Sequence, residues 1–168
     1  MQIPGVAELD SGNPAAVVRE NALRKARAVR SGRETTVLGF DTAILGCDTL
    51  VALRGRIYGK PSGEAQARDM LAALSGHTHE VFSGLALLRG EQERTGVERT
   101  RVRFRELSPG MIDWYLAKGE WRERAGGYAI QGAGAALVRA VEGDHENVVG
   151  LPVAILLDLY PELLPASP

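Results

Sequence analysis

One stretch, residues 43–75, sets the order of structural elements; it reads AILGCDTLVALRGRIYGKPSGEAQARDMLAALS. It begins with an apolar run that predicts a strand over 43–46, buried on both faces. A hairpin that turns at Arg54-Gly55 follows. A Gly-Lys-Pro loop then leads into a helix over 63–74. This succession of strand, hairpin, loop and helix predicts a domain in which sheet and helices are mixed.

The rest of the chain continues the mixture. Three further helices are predicted, one after Asn13-Pro14 and two over 110–118 and 153–164. Further strands are predicted over 78–88, 97–107, 129–130 and 135–141. Because strands and helices alternate and at least one hairpin is antiparallel, we expect an α/β or α+β fold.

Composition limits the classes of function. The chain has 168 residues, 45% of them hydrophobic, and a formal net charge of -1. This length suits one domain, 1–168, and the charge gives no general attraction for nucleic acid or an anionic membrane. No run of about 18 apolar residues exists, so no membrane span is predicted. The only cysteine is Cys47, which favours the reducing cytoplasm.

Asp48 and Lys60 are the two residues of most chemical interest. We expect Asp48 to end the buried strand, where a carboxylate is costly without cationic or hydrogen-bonding partners. From this residue alone, an acid in a turn or cap is an equally good interpretation. Lys60 stands between Gly59 and Pro61 in a loop ahead of a helix. A carboxylate that binds metal or deprotonates water suits a phosphate site when it is combined with a lysine near a helix N-terminus.

Simpler interpretations are favoured for several other motifs. A Walker nucleotide loop is excluded, because Arg54 stands where its first glycine is needed and Pro61 follows the lysine. Cys47 is expected to be a buried small hydrophobic residue and not a nucleophile. His77 and His79 have no third ligand nearby in the sequence, so a surface or hydrogen-bonding role is favoured over zinc.

A set of short motifs in a fixed order carries a family resemblance. The motifs are Gly46-Cys47-Asp48-Thr49, Gly59-Lys60-Pro61, Met70-Leu71 through Leu74-Ser75-Gly76, Thr78-His79-Glu80-Val81, AGGYAIQG at 125–132, and Glu142-Gly143 through NVVGLP at 147–152. Together they resemble the Maf family of nucleoside triphosphate pyrophosphatases, over roughly residues 5–159. The resemblance implies a Maf/ITPase-like single domain with a mixed, strongly twisted sheet, flanking helices and a central cleft.

The resemblance also implies an activity. Family members hydrolyse the α–β phosphoanhydride of nucleoside triphosphates to a monophosphate and pyrophosphate, using Mg²⁺ or Mn²⁺. By motif, Asp48 would be the proton acceptor that activates water and a metal ligand. Glu8 would help to hold the metal, the water or the substrate, and Lys25 and Lys60 would bind phosphate. Family analogy further implies a homodimer.

Two residues bear on the base. The resemblance is to the branch of the family that acts on dTTP and UTP, in which Thr49 and Gln131 would shape base specificity. A glutamine amide can pair with a pyrimidine carbonyl and ring N–H together, so a base that does not match is left with unpaired polar groups. We therefore favour a pyrimidine substrate, including modified pyrimidine nucleotides.

The chain departs from the family pattern near its start. Family members normally begin with a strand and loop of the type Ala-Ser-x-Ser-Pro-Arg-Arg, and no Ser-Pro-Arg occurs in this sequence. That loop supplies a phosphate-binding arginine. Without it, strand edges would be unpaired and a charge-assisted phosphate contact would be lost. We expect the chain as given to be less active, less stable or both, compared with a version extended upstream.

Two other functions are weighed against the enzyme. A nucleotide-binding regulator of cell division, with weak or no catalysis, is the main alternative. An RNA-binding protein is the third, because Arg99, Arg101, Arg103 and Arg105 alternate along one predicted strand. A solvated strand face is the simpler interpretation of those arginines, since Phe104 alone offers little aromatic stacking.

Overall fold

Helices pack on a five-stranded sheet in the computed structural model, which describes residues 7–32 and 43–164. The helices are α1 (Pro14–Gly32), α2 (Glu64–Leu74), α3 (Pro109–Leu116), α4 (His145–Val149) and α5 (Val153–Leu159). The strands are β1 (Ala43–Leu53), β2 (Arg56–Tyr58), β3 (Thr78–Arg89), β4 (Gln92–Phe104) and β5 (Val138–Glu142). Short 3-10 turns occupy Ala125–Gly127, Ala133–Leu137 and Pro161–Leu163. The start of the motif set at residue 5 and both ends of the predicted domain lie outside the described residues.

The sheet has the order β2-β1-β3-β4-β5. The expected α/β class with helices flanking a sheet is confirmed. Each pair of neighbouring described strands is antiparallel, so the expectation of a mixed sheet is not met among them. The links from β1 to β2 and from β3 to β4 are tight turns, and such turns can join only antiparallel neighbours.

β1 is longer than the sequence pattern predicts. It continues from Ala43 to Leu53, so Asp48 lies in the middle of the strand and the prediction that it ends the strand is wrong. The strand accommodates the acid because α1 supplies polar partners opposite it. Burial on both faces is also incomplete, because Leu45 is 40% exposed.

Several other boundaries move for identifiable reasons. β4 begins at Gln92, five residues before the predicted start, since one of its faces is solvated and tolerates polar residues. Residues 129–130 form no strand; the backbone N–H of Ala129 donates instead to the hydroxyl of Tyr115, at 2.9 Å. The helix predicted over 153–164 ends at Leu159, two residues before Pro161, which cannot donate a helical hydrogen bond.

α1 lies directly on the sheet. The apolar side chains of Val17 and Val18 pack against Leu50 and Phe82. Two sheet glycines, Gly46 in β1 and Gly84 in β3, permit this close approach. A Cβ atom at Gly46 would overlap the carbonyl oxygen of Ala22, and one at Gly84 would overlap that of Val18. The next turns of α1 are thereby held against the middle of β1.

The other face of the sheet covers the larger core, which includes α2, α3 and the buried residue His79. The His79 side chain is 1% exposed and its Nε2 lies 2.9 Å from the Tyr128 hydroxyl. The hydrogen-bonding role predicted for this histidine is confirmed. Burial lowers the pKa of His79 from its ordinary 6.5 to about 4.

This shift predicts a pH dependence of stability. Between pH 6.5 and 4 the unfolded chain binds a proton at His79 and the folded chain does not, so stability falls as the pH falls. The loss should reach about 3 kcal/mol near pH 4, at about 1.4 kcal/mol per pKa unit. His79→Gln can keep the bond to Tyr128 but cannot titrate. Urea unfolding of both proteins should therefore show a steeper decline for the wild type between pH 7 and 4.5; parallel curves would contradict this.

None of the described helices has the length and apolar character needed to cross a membrane.

Candidate active site

A cleft of about 220 Å³ opens beside the middle of β1. Five of the six residues singled out from the sequence line it: Lys25, Asp48, Thr49, Lys60 and Gln131. The sixth, Glu8, reaches the same place through Lys25. Segments distant in sequence therefore converge here, from α1, β1, the loop after β2, the segment that follows α3 and the C-terminal end of α4.

Asp48 lies at the α1 side of the cleft and is 9% exposed. Its Oδ1 atom is 2.5 Å from the Lys25 ammonium, and its Oδ2 accepts a hydrogen bond of 2.9 Å from the Asn21 amide. Both partners belong to α1, one turn apart. The carboxylate thus has the cationic and polar partners that a buried acid needs.

Lys25 links two acids. Its Nζ lies 2.7 Å from Glu8 Oε1 as well as beside Asp48. Burial alone would lower the pKa of Lys25, but hydrogen bonds and charge attraction from Asp48 and Glu8 outweigh burial and raise that pKa. The lysine is therefore charged at neutral pH. An ammonium has three N–H donors, so one remains after the two carboxylates and is available to a substrate oxygen.

Asn21 was missed by sequence reasoning. It is 2% exposed and contacts both Asp48 and the backbone of Leu9. A signal was available, because Asn21 falls on the same helical stripe as Val18 and Lys25, which faces the sheet. A polar residue in such a stripe must find partners, and the partner here is the acid at the centre of the site.

Lys60 lines the cleft from the loop after β2. Its ammonium is 3.4 Å from Glu123, whose side chain is 77% exposed. An exposed ion pair of this kind contributes little energy, so an incoming phosphate can replace Glu123 at low cost. The backbone N–H of Gly126 donates to the carbonyl oxygen of Gly59 at 3.0 Å, which fixes the loop that presents the lysine. Arg124 lines the cleft as well and was also missed.

A chain of hydrogen bonds runs from Thr49 into the protein. The Thr49 and Ser83 hydroxyls are 2.7 Å apart, and Ser83 donates to the carbonyl oxygen of Asn147 at 3.2 Å. Since Ser83 has one hydroxyl proton and gives it to Asn147, Thr49 must donate to Ser83. The free lone pairs of the Thr49 oxygen are then left to the cleft as hydrogen-bond acceptors.

Asn147 anchors the segment that contributes residues 148–150 to the cleft. Its side chain is fully buried, and its Nδ2 donates to the Val81 carbonyl at 3.1 Å and to the Thr100 hydroxyl at 2.9 Å. The adjacent residues 148–150 line the cleft. Nothing in a single asparagine near the end of the chain distinguishes such an anchor from a surface residue, so sequence reasoning gave it no separate role.

Cys47 lines the cleft, so the expectation of a buried small hydrophobic residue is not met. It is half-buried, and its thiol lies 2.9 Å from the carbonyl oxygen of Gly150. Burial, followed by the charge of Asp48, raises the pKa of this thiol to about 11. Because the thiolate is the reactive form, this shift argues against Cys47 as a nucleophile.

The arginines of β4 are solvated and partly neutralised. Arg99 pairs with Glu80 at 3.1 Å, and Arg101 pairs with Glu142 at 2.7 Å. Arg99, Arg101 and Arg103 of β4 are exposed, and so is Arg105, which follows the end of the strand. The acidic partners reduce the positive charge that an RNA groove on this face would need.

Comparison with known proteins agrees with the motif set. Residues 2–163 match the family described as Maf-like protein. A dTTP/UTP pyrophosphatase of Moorella thermoacetica is 48% identical over 148 residues, which cover 87% of this chain and 73% of the relative. One of Symbiobacterium thermophilum is 44% identical over 153 residues, which cover 90% and 76%.

A third relative, the dTTP/UTP pyrophosphatase of Pyrococcus furiosus, is 51% identical over 116 residues. That alignment covers 69% of this chain and spans about three fifths of the relative, 61% of its length. The match to the family extends over nearly the whole sequence and includes every segment that lines the cleft. The chain belongs to the family of Maf-like proteins.

Proposed function

We propose that the chain is a nucleoside triphosphate pyrophosphatase that hydrolyses the α–β phosphoanhydride of dTTP, UTP and modified pyrimidine nucleotides. The observation that carries the proposal is the cleft itself. The buried acid Asp48 and the lysine Lys60, which come from different segments of the chain, both line it. Three relatives that align with 69–90% of this chain are named dTTP/UTP pyrophosphatases.

Each of these residues has its own part in the proposed reaction. Asp48 accepts a proton from water, the water oxygen attacks the α-phosphorus, and the bond to the bridging oxygen breaks. The products are a nucleoside monophosphate and pyrophosphate, and Asp48 returns its proton to solvent. Lys60 and the remaining N–H of Lys25 bind phosphate oxygens. The substrate brings about four negative charges, so these cations are needed before a nucleophile can approach.

The donor set fits a hard divalent cation. Asp48 and Glu8 are carboxylates that share Lys25, so they lie close together. Among residues 7–32 and 43–164, no group of three or more potential ligands of the His, Cys, Asp and Glu types is found. Mg²⁺ is commonly bound by one or two carboxylates together with substrate phosphates and water. We propose that Asp48 and Glu8 hold Mg²⁺ or Mn²⁺, which would offset phosphate charge and lower the pKa of bound water.

The hydrogen-bond order around Thr49 supports a pyrimidine with a ring N–H. Thymine and uracil carry a donor at N3, whereas cytosine carries an acceptor there. The Thr49 oxygen, acting as an acceptor, would bind the N3–H of thymine or uracil. With cytosine it would face another acceptor and form no hydrogen bond. Gln131 is exposed at the cleft, where its amide can meet the remaining base edge. A site of this kind rejects bases that leave its polar groups unpaired.

A product analysis tests the proposal. With UTP and MgCl₂ or MnCl₂, we expect UMP and pyrophosphate in equal amounts, loss of activity with EDTA, and a kcat/KM for UTP and dTTP at least about tenfold above that for CTP. UDP with orthophosphate would show that the wrong bond had been assigned. Nucleotide binding without any product would favour the regulator of cell division.

The proposal extends, by analogy with the family, to the assembly and location of the protein. We expect a homodimer in the cytoplasm, with no nucleic-acid or membrane partner.

A further inference from the structure

Asn21 is a buried amide to which the proposed reaction gives no part. Its Oδ1 accepts the backbone N–H of Leu9 at 2.7 Å. Its Nδ2 donates to the Leu9 carbonyl at 3.0 Å and to Asp48 Oδ2 at 2.9 Å. A side-chain amide has two N–H donors and one acceptor oxygen, so each of its groups has a partner.

The first consequence concerns Asp48. Asn21 and Lys25 are four residues apart on α1 and therefore project from the same face on successive turns. Asn21 holds Oδ2 of the carboxylate and Lys25 holds Oδ1. Contacts at both oxygens fix the rotation of the carboxylate, which a single partner would leave free. The lone pairs left over then point in one defined direction.

The second consequence concerns Glu8. The paired hydrogen bonds to Leu9 tie that backbone to α1, immediately after Glu8. The Glu8 carboxylate, which is 26% exposed, reaches Lys25 from this fixed position. One amide therefore sets the placement of two acids that come from different parts of the chain.

We infer that Asn21 is a positioning residue that holds Asp48 and Glu8 together as one cation-binding pair. This inference rests on the proposed function for its catalytic consequence. Removing a residue that hydrogen-bonds to a metal ligand commonly changes metal affinity or activity by about 10-fold to 100-fold. The effect expected of Asn21 lies in this range, because it contacts one acid directly and the other through one peptide unit.

The test compares Asn21→Leu with Val18→Ala. Leucine has a similar volume but no polar group. Val18 is on the same helix, is fully buried and packs among apolar side chains, so its truncation lowers stability without touching either acid. Binding of Mn²⁺ in the absence of nucleotide is measured by electron paramagnetic resonance of the free ion, and kcat for UTP is measured separately. Both variants are first checked by circular dichroism at the assay temperature.

We expect Asn21→Leu to weaken Mn²⁺ binding and to lower kcat, each by about tenfold or more, while Val18→Ala changes both by less than about twofold. Equal Mn²⁺ affinity in the two folded variants would overturn the inference. Should Asn21→Leu fail to fold, the smaller Asn21→Ser takes its place. Its single hydroxyl can donate to Asp48 or Leu9 but not to both, so the same loss of affinity is expected and wild-type affinity would overturn the inference.

The two proposals can fail separately. A wild-type protein that binds Mn²⁺ but releases no pyrophosphate would refute the proposed activity, and the Mn²⁺ comparison would still decide the part played by Asn21. Full activity that is indifferent to Asn21→Leu would refute the positioning role and leave the activity standing.

Discussion

Replacing Asp48 by asparagine is expected to lower kcat for UTP by about a hundredfold or more. Asparagine keeps the shape of the side chain but cannot accept a proton from water. It also places a neutral amide beside Lys25, which among the described residues then retains Glu8 as its one charged partner. The measurement is the initial rate of pyrophosphate release at saturating UTP and metal, with the folded fraction confirmed by thermal unfolding.

Asp113→Asn is the matched control for this change. Asp113 pairs with Arg68 at 2.5 Å, and its side chain is 60% exposed. It does not line the cleft, and exposed pairs contribute about 1 kcal/mol at most. We expect its kcat to equal that of the wild type. If Asp48→Asn retained the wild-type rate as well, the proton acceptor would have to be another group.

Gly84→Ala is expected to produce the largest loss of stability. The added methyl group would overlap the carbonyl of Val18 in α1, so the helix must move away from the sheet. Overpacking of this kind costs about 3 kcal/mol, which corresponds to roughly 6–12 °C in melting temperature for a chain of this size. Activity should fall as well, because the displaced helix carries Asn21 and Lys25, and small displacements at a reacting centre can cost about a hundredfold.

Gly110→Ala provides the same chemical change where there is room. A Cβ atom at Gly110 would meet no described atom within 4 Å, and the residue is exposed in the first turn of α3. This variant should melt at or slightly above the wild-type temperature, since alanine favours helix more than glycine does. If Gly84→Ala had the same melting temperature as Gly110→Ala, the result would show that α1 tolerates displacement.

Local patterns were sufficient for much of the fold. Asn13-Pro14 marks the start of α1, where the Asn13 side chain accepts the N–H of Ala16. Ser108-Pro109 likewise marks α3, with Ser108 accepting from Met111. The hairpin at residues 54–55 was predicted by its Arg-Gly turn. Such signals act within a few residues, so no knowledge of the tertiary structure is needed to interpret them.

The errors arise where distant residues decide the outcome. A strand that continues through Asp48 contradicts its local preference and is stable because α1 brings an amide and an ammonium to that position. The segment at 129–130 has strand-like composition, yet the Tyr115 hydroxyl takes the hydrogen bond that a neighbouring strand would have used. Asn21 and Ser83 were missed for the same reason. Asn21 matters because of Asp48, which is 27 positions away. Ser83 matters because of Thr49, which is 34 positions away, and because of the more distant Asn147.

Because α1 packs tightly on Gly46 and Gly84, the side of the cleft that it forms has less freedom to move than the rest of the lining. The side that bears Asp48 is rigid in one direction, because a glycine-sized gap leaves no room for the helix to move towards the strands beneath it. Closing of the cleft around a nucleotide by movement of α1 towards the sheet is therefore blocked, and we expect such closing to come from the parts of the lining outside α1 and β1, such as the loop that presents Lys60. Turnover limited by product escape should accordingly respond to changes in those segments, while changes that displace α1 act through the positions of Asn21 and Lys25.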